Sequence, residues 1–392
     1  MKSCGVIVEY NPLHNGHLYH LEQARQRSGA DVIVGVMSGS FLQRGEPSLL
    51  DKWTRAHLAL AAGADMVVEL PVAFAIQPAD YFARGAIGIL QALQVTDLCF
   101  GSETGEGAAF EELAALVNEQ QEVLDQAFKK ITNKRLSYAE KMSQVYQEVL
   151  PQQLIDLQQP NNILGFSYAV ENHRLKKPMT LHSMKREQAG YHDAAITAEI
   201  ASATAIRQAL FQAGQQVDWA KTVPTYTEAA LKTQELVNWS AYWPLLRYQI
   251  VSASLEELRA IYQVNDGLEY RLKEQILKAE NFEDFVTLVK SKQNTWVKIQ
   301  RICLYILLNI QQTEMLSAME KPEYIRLLGF NQKGRQFLKQ QKKKIALPVI
   351  TNIDKKNEAL LSLDIRAGQV YQMVKKEAAI PLDYYRKPII LP

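Results

Sequence analysis

The sequence has no long apolar run and very few cysteines. Its β-branched runs, such as the one at 31–37, are interrupted within about ten residues, whereas a helix that crosses a bilayer needs about 20. Cys4, Cys99 and Cys303 are widely spaced and form no CxxC pair, which argues against a disulfide framework or a zinc site. We therefore expect a cytoplasmic protein with reduced thiols, no membrane segment and no metal held by its own side chains.

A large net charge is missing as well. The chain has 44 basic and 42 acidic residues, and a formal charge of +2 does not by itself predict a polyanionic partner. Positive charge is concentrated locally at 321–344, where eight lysines and arginines surround one acid, Glu323, with Tyr324, Phe330 and Phe337 between them. Such a stretch suits a phosphate backbone through counterion release, or it is a solvated helix whose aromatic side chains pack inward.

The hydrophobic pattern predicts two kinds of structure in the 392 residues, a length that exceeds what one core usually serves. Short β-branched runs at 4–9, 31–37, 65–70, 97–100 and 180–183 alternate with helical patterns at 16–27, 52–62, 79–93, 106–150 and 161–173. This alternation is typical of a Rossmann-like α/β domain with a parallel sheet, and we assign it to residues 1–220. Residues 221–392 are predicted to form a mainly α-helical domain that ends in a small strand (346–351) and a helix (364–376).

The most specific motif lies between the first predicted strand and the first helix. After the strand and a turn with Asn11 and Pro12, His14 and His17 flank Gly16 at the start of the helix. A helix N-terminus offers free N–H groups to phosphates, and glycine allows a nucleotide to approach the backbone. Two imidazoles three residues apart can both donate to phosphate oxygens. The alternatives are half of a metal site or plain surface histidines, but a metal would need a third ligand, and no Cys/His cluster provides one.

This motif resembles the HIGH signature of class I aminoacyl-tRNA synthetases and related nucleotidyltransferases, which act at the α-phosphate of ATP. The segment 200–207 is similar to the ISSTxIR element of the same superfamily, and the resemblance implies that Ser202, Thr204 and Arg207 bind the departing pyrophosphate. Taken alone, that segment could equally be an ordinary capped helix.

Further segments resemble one family in this superfamily, the tRNA(Met) cytidine acetate ligases; they lie at 37–47, 67–71, 81–83, 100–103, 160–164, 185–186, 190–193 and 328–335. The resemblance covers essentially the whole chain and implies a HIGH-type nucleotidyltransferase domain with His14 and His17 as catalytic residues. The implied ATP-binding residues are Ile7, Val8, Glu9, Tyr10, Asn11, Pro12, Leu13, His14, Asn15, Gly16, His17, Leu18, Tyr19, His20, Gly101, Asn161, Asn162 and Arg186.

A substrate pocket and an RNA-binding surface are expected beside this ATP site. We assign Gln43, Arg44, Lys52 and Arg55 to the pocket for acetate or cytidine. The residues expected to contact tRNA are Arg326, Lys333, Arg335, Lys342, Lys343 and Lys344.

The implied activity is an ATP-dependent ligation with Mg²⁺ carried by the phosphates. Acetate would be activated as acetyl-adenylate and transferred to the N4 amine of the wobble cytidine of elongator tRNA(Met), with AMP and diphosphate as products; no obligate protein partner is evident. One alternative is a nucleotidyltransferase that adenylylates a small phosphorylated metabolite. The other is a non-catalytic tRNA-binding protein.

Overall fold

The computed structural model describes residues 1–133, 136, 138–150, 155–186, 201–211, 218–376 and 381–392. The 190–193 segment and residue 200, both part of the resemblance, lie outside the described residues. None of the helices in the described ranges has the length and apolar character needed to cross a membrane.

The first half of the chain forms five parallel strands with connecting helices. The strands are β1 (Ser3–Val8), β2 (Val32–Ser38), β3 (Met66–Leu70), β4 (Asp97–Ser102) and β5 (Thr180–Lys185). The helices are α1 (Asn15–Ser28), α2 (Lys52–Ala61), α3 (Val72–Ala75), α4 (Ala79–Ala92), α5 (Gly107–Glu119), α6 (Gln121–Lys130), α7 (Tyr138–Val149), α8 (Pro160–His173) and α9 (Ala203–Phe211). The predicted α/β fold with a mainly parallel sheet is confirmed. The prediction succeeded because near-continuous apolar strands such as β2 are buried on both faces of a parallel sheet.

The strand order places a crevice at the end of the first strand. β1 lies between β2 and β4, and the full order of the parallel part is β5-β4-β1-β2-β3. The strand order therefore changes direction at β1, with β2 and β3 on one side and β4 and β5 on the other. In doubly wound sheets, ligands bind outside the carboxyl ends of the strands at the point where the strand order reverses in this way. The turn after β1 and the residues after β4 meet there.

Helices dominate the next part of the chain. They are α10 (Thr225–Thr233), α11 (Trp239–Ser252), α12 (Leu255–Ala260), α13 (Leu268–Ile276), α14 (Phe282–Val289), α15 (Trp296–Leu307) and α16 (Gln312–Ala318), and a 3₁₀ turn at Trp219–Thr222 precedes them. They pack against the first half through specific bonds: Trp239 Nε1 donates to Gly45 O at 2.9 Å, and the Tyr305 hydroxyl donates to Ile76 O at 2.6 Å.

The last part of the chain returns to the sheet, which the sequence analysis did not predict. It contains β6 (Ile325–Phe330), α17 (Gln332–Gln341), β7 (Val349–Ile350), a 3₁₀ turn (Ala359–Leu361), α18 (Ser362–Gln372), α19 (Leu382–Tyr385) and β8 (Ile389–Ile390). β6 pairs antiparallel with β3, and β7 and β8 pair with β6. The predicted helical segment from 221 onwards is thus followed by strands that extend the first sheet, and the predicted terminal strand is only two residues long.

Candidate functional site

The turn that follows β1 is held in an unusual conformation. Tyr10 has a positive φ of 52°, and the Asn11–Pro12 peptide is cis. The buried Asn11 side chain accepts a hydrogen bond from Leu49 N at 2.7 Å, which fixes the turn to the loop before α2. The turn delivers His14 to the position that caps α1.

The two histidines form a capping box that determines which nitrogen of each ring carries the hydrogen. His14 Nδ1 accepts from Gly16 N at 3.1 Å, and His17 Nδ1 accepts from His14 N at 3.2 Å. Their rings stack with centroids 3.7 Å apart. A ring nitrogen that accepts from a backbone N–H carries no proton, so in each neutral ring the hydrogen is on Nε2. Both histidines can therefore donate from Nε2.

Burial keeps these imidazoles neutral. It lowers the pKa of His14 to about 3, with a further contribution from the positive charge of Arg186. The pKa of His17 is well below its ordinary value because of burial and then the neighbouring His14. His20, one turn further along α1, has its pKa lowered to about 4 by burial, and its Nε2 lies 3.2 Å from Cys99 O. Neutral donors can strengthen their hydrogen bonds as charge develops on phosphate, without an initial cost of burying a cation.

The opposite wall of the crevice comes from β4, α8 and the end of β5. Arg186 donates to Asn161 Oδ1 at 3.0 Å, and Asn161 Nδ2 donates to Glu103 Oε1 at 2.7 Å. A Cβ on Gly101 would lie only 3.2 Å from the Arg186 side chain, so glycine leaves room for the guanidinium. Asn162 instead accepts from the backbone of Glu103 and Thr104 and stabilises the loop from behind.

The predicted pyrophosphate segment adjoins the turn that follows β1 and contains Tyr10, Asn11 and Pro12, which we call the motif turn. Ser202 Oγ accepts from Ala205 N at 3.1 Å, so Ser202 does cap the next helix. Arg207 also reaches back across the cleft: its Nη1 donates to Asn11 O at 2.9 Å, and its Nη2 lies 2.9 Å from Glu46 Oε2. The helix cap and the contact with the motif turn thus occur together.

Glu9 and Arg55 order the loop between β2 and α2. Glu9 Oε1 accepts from Gln43 N at 2.7 Å, and burial raises the pKa of this carboxyl. Arg55 is fully buried and donates to Glu9 O at 2.7 Å and to Ser38 O at 3.0 Å. Arg55 is therefore a support for the loop, while Gln43 and Arg44 lie at its surface in the cleft.

These elements enclose a cleft of about 280 Å³. Most of the predicted residues line it: Ile7, Val8, Glu9, Tyr10, Asn11, His14, Gly16, His17, Tyr19, His20, Gln43, Arg44, Gly101, Asn161, Arg186, Ser202, Thr204 and Arg207. The lining does not include Pro12, Leu13, Asn15, Leu18, Asn162, Lys52 or Arg55. Asn15, for example, points away and donates to Lys221 O at 2.9 Å.

The assignment of Lys52 to the substrate pocket needs correction. Its ammonium lies 2.8 Å from Glu69 and 2.6 Å from Asp383, and all three side chains are buried. The two carboxylates hold the pKa of Lys52 above its ordinary value although burial alone would lower it. Lys52 therefore connects α2, β3 and the C-terminal segment.

Arg326 is a second correction. It lies in β6 opposite Glu69, is 1% exposed, and donates to Asp383 O at 3.0 Å, so in this structure it cannot contact RNA. The other expected RNA contacts, Lys333, Arg335 and Lys342 to Lys344, are exposed on α17 and just after it. Phe337 packs inward in the same helix, so the basic surface and the inward-packing aromatic coexist.

The sequence analysis missed several residues that line the cleft, namely Leu42, Glu46, Phe82, Phe100, Tyr168 and Met184. Phe82 and Phe100 fall in segments that carried the family resemblance, but apolar residues on predicted helices and strands give no separate signal. Glu46 could have been suspected as a partner for Arg207 only once that arginine was known to cross the cleft. Within the described ranges there is no group of three His, Cys, Asp or Glu side chains that could hold a metal.

The chain is similar to known proteins over its whole length. A family model described as HIGH Nucleotidyl Transferase matches residues 1–383. A tRNA(Met) cytidine acetate ligase of Listeria monocytogenes is 44% identical over 96% of this chain and 95% of its own, and one of Latilactobacillus sakei is 44% identical over 99% and 97%.

Solved structures match the chain over its whole length as well. The apo crystal structure of Thermotoga maritima TmcAL is 31% identical and superimposes with a TM-score of 0.91 over 100% of both chains. The form of that protein bound with alpha-thio ATP gives a TM-score of 0.90 at the same identity and coverage.

Proposed function

This chain belongs to the tRNA(Met) cytidine acetate ligases of the HIGH nucleotidyl transferase family, and we propose from that premise that it activates acetate with ATP and acetylates the wobble cytidine of elongator tRNA(Met). It is an ATP-binding ligase that acts in tRNA modification.

One observation supports the ATP site above the others. The capping box between His14 and His17 leaves both Nε2–H groups as neutral donors at the N-terminus of α1. Three guanidinium groups, those of Arg44, Arg186 and Arg207, line the same cleft. This combination of helix dipole, neutral donors and cations matches a triphosphate whose charge shifts from the α- to the β-phosphate.

The first step joins acetate to the nucleotide. A carboxylate oxygen of acetate forms a bond to the α-phosphorus, the bond to the β-phosphate oxygen breaks, and diphosphate leaves. In the proposed assignment His14 and His17 bind the α-phosphate, and Arg207 with Ser202 and Thr204 binds the diphosphate. Mg²⁺ arrives with the phosphates and offsets part of their charge.

The second step transfers the acetyl group. The N4 nitrogen of cytidine forms a bond to the acetyl carbon, the bond to the adenylate oxygen breaks, AMP leaves with the electron pair, and N4 loses one proton to solvent. No enzyme nucleophile is required, because positioning and the mixed anhydride supply the activation. A wobble base in a single-stranded loop can be unstacked to enter the cleft.

The tRNA would be held by the basic surface of α17 and the residues after it. Each lysine that contacts a phosphate contributes roughly one unit to the salt dependence of binding. Replacing Lys342, Lys343 and Lys344 with glutamine should therefore weaken tRNA binding and lower the slope of log K against log salt by up to about three. Filter binding at several salt concentrations measures this, and an unchanged slope would place the tRNA elsewhere.

A direct assay tests the proposed function. The protein is incubated with ATP, Mg²⁺, labelled acetate and unmodified elongator tRNA(Met), and label on the base and AMP are measured. We expect equal amounts of N4-acetylcytidine and AMP, both absent without acetate. AMP transfer to a small phosphorylated compound, or tRNA binding without any AMP formation, would identify one of the two alternative functions instead.

A further inference from the structure

Glu9 places a carboxyl group in the cleft, directly after the end of β1. Its Oε1 atom is used by the protein itself, since it accepts from Gln43 N at 2.7 Å and from Ser38 Oγ at 3.3 Å. Its Oε2 atom makes no hydrogen bond or ion pair with a described residue, and the side chain is partly exposed in the cleft. The carboxyl group is therefore oriented through one oxygen and presents the other to a bound molecule.

The other groups of the described lining that could take up a proton are engaged or weakly basic. The Nδ1 lone pairs of His14 and His17 accept backbone N–H groups, so neither ring has a lone pair left for a ligand. Burial lowers the pKa of His20 to about 4, which makes it a weak base. Glu46 lies 2.9 Å from the Arg207 guanidinium, which holds its carboxylate in an ion pair. Glu9 is thus the best placed proton acceptor of the described lining.

Charged and titratable groups face Glu9 from three elements. They are Arg44 and Glu46 of the loop between β2 and α2, Arg55 of α2, and Tyr168 of α8. Burial is the largest influence and raises the pKa of Glu9. The hydrogen bond from the loop backbone and the charges of Arg44 and Arg55 oppose this shift, whereas the charge of Glu46 adds to it. A raised pKa makes this carboxylate a stronger base than an exposed glutamate.

The transfer step of the proposed function produces a proton that needs an acceptor. When the N4 nitrogen of cytidine attacks the acetyl carbon, it becomes positively charged and must lose one hydrogen as AMP leaves. The N4 amine is also the hydrogen-bond donor of cytosine, and carboxylates are among its ordinary partners in base recognition. A carboxylate oxygen that faces the cleft meets both requirements.

We propose that Glu9 Oε2 binds the N4 amine of the wobble cytidine and accepts its proton during acetyl transfer. The new bond joins N4 to the acetyl carbon, the bond from that carbon to the adenylate oxygen breaks, and AMP leaves with the electron pair. The N4 proton passes to Oε2, and Glu9 then releases it to solvent. The activation of acetate moves no proton, so it needs no base. This assignment rests on the proposed function.

Conservative variants separate the two half-reactions. Glu9→Gln keeps an oxygen that can accept from Gln43 N and Ser38 Oγ, but it cannot take up a proton. The enzyme is loaded with ATP and labelled acetate, tRNA is added, and a single turnover of acetyl transfer is followed. We expect this rate to fall roughly 100- to 1,000-fold in Glu9→Gln. Acetate-dependent exchange of diphosphate into ATP, measured without tRNA, should change less than about threefold, because no proton moves in that step.

Two further variants complete the comparison. Glu9→Asp keeps a carboxylate and should transfer the acetyl group at least about tenfold faster than Glu9→Gln. Glu112→Gln, the same substitution at an exposed position on α5, is the matched control and should retain both activities. Melting temperatures report whether each variant is folded.

The pH dependence distinguishes a base from a positioning group. The carboxylate is the active form, so the single-turnover rate of the wild type should rise with pH through the pKa of Glu9 and then level off. The rate is lost as the pH falls below that pKa. Glu9→Asp should keep such a rise, and Glu9→Gln should lack it. Rates measured between about pH 5 and 8 test this.

Three results would overturn the assignment: transfer by Glu9→Gln within about threefold of wild type, an equal loss of exchange and transfer in a folded variant, or the same pH profile for Glu9→Gln and the wild type. Failure of the proposed function is recognised separately, because the wild-type protein would then form no acetylcytidine at all.

Discussion

His14 has two roles that substitution can separate. Its Nδ1 caps α1 by accepting from Gly16 N, and its Nε2–H is left as a donor in the cleft. An asparagine can still cap the helix through its side-chain oxygen, but it cannot reach the phosphate as an imidazole does. Alanine loses both functions. His14→Asn and His14→Ala therefore form a pair in which stability and catalysis should respond differently.

The magnitudes follow from the contacts. Loss of a helix cap costs about 1 kcal/mol, and loss of one preformed transition-state donor lowers kcat roughly 100- to 1,000-fold. We expect His14→Ala to lose about 1 kcal/mol in the free energy of unfolding and both variants to lose at least about 100-fold in acetate-dependent diphosphate exchange. His14→Asn should unfold within a few tenths of a kcal/mol of wild type. His57→Asn, at an exposed position on α2, is the control.

Urea unfolding and the exchange assay measure the two effects on the same preparations. The assignment is refuted if His14→Asn keeps kcat within threefold of wild type. It is also refuted if His14→Asn is as unstable as His14→Ala, because the capping geometry that fixes the tautomer would then be wrong.

Three further outcomes are expected. Arg207→Lys should weaken ATP binding roughly tenfold, since one ammonium cannot bridge the motif turn and Glu46 as the guanidinium does. Isothermal titration with ATP measures the dissociation constant, and an unchanged value would contradict this. Lys52→Met should lower the free energy of unfolding by about 3–5 kcal/mol, because Glu69 loses its buried cation. A variant with normal stability and a changed KM for acetate would instead show that Lys52 belongs to the substrate pocket. His14 and His20 stay neutral in the folded protein, whereas in the unfolded chain they bind protons near pH 6.5. The free energy of unfolding should therefore fall as the pH decreases from about 6.5, by roughly 2 kcal/mol for each histidine at pH 5. Urea titrations between pH 8 and 5 test this, and a flat profile would mean that the rings are solvated.

The parallel strands and the nucleotide motif were predictable because their signals are local. Continuous β-branched runs predict buried strands, and His14 with Gly16 and His17 after such a run predicts a phosphate-binding helix start. The motif needs only neighbours in sequence, so its geometry was largely determined by residues within one turn of each other.

Residues whose roles depend on distant partners were predicted less well. Lys52 and Arg326 resemble surface cations in sequence, but both are buried against Glu69 and the chain around Asp383. The strand β6 was missed because its arginine interrupts a short apolar run, and only the pairing with β3 buries that charge opposite Glu69.

The sequence by itself determined the α/β pattern, the start of α1 as a phosphate site and the helical character of the following part, since each depends on periodicity or on adjacent residues. Tertiary structure alone decided which cations face the cleft and which are buried. It also decided that the C-terminal strands complete the first sheet. Side chains separated by more than two hundred residues meet only when the whole chain has packed, and burial then determines whether a charge is a ligand or a structural support.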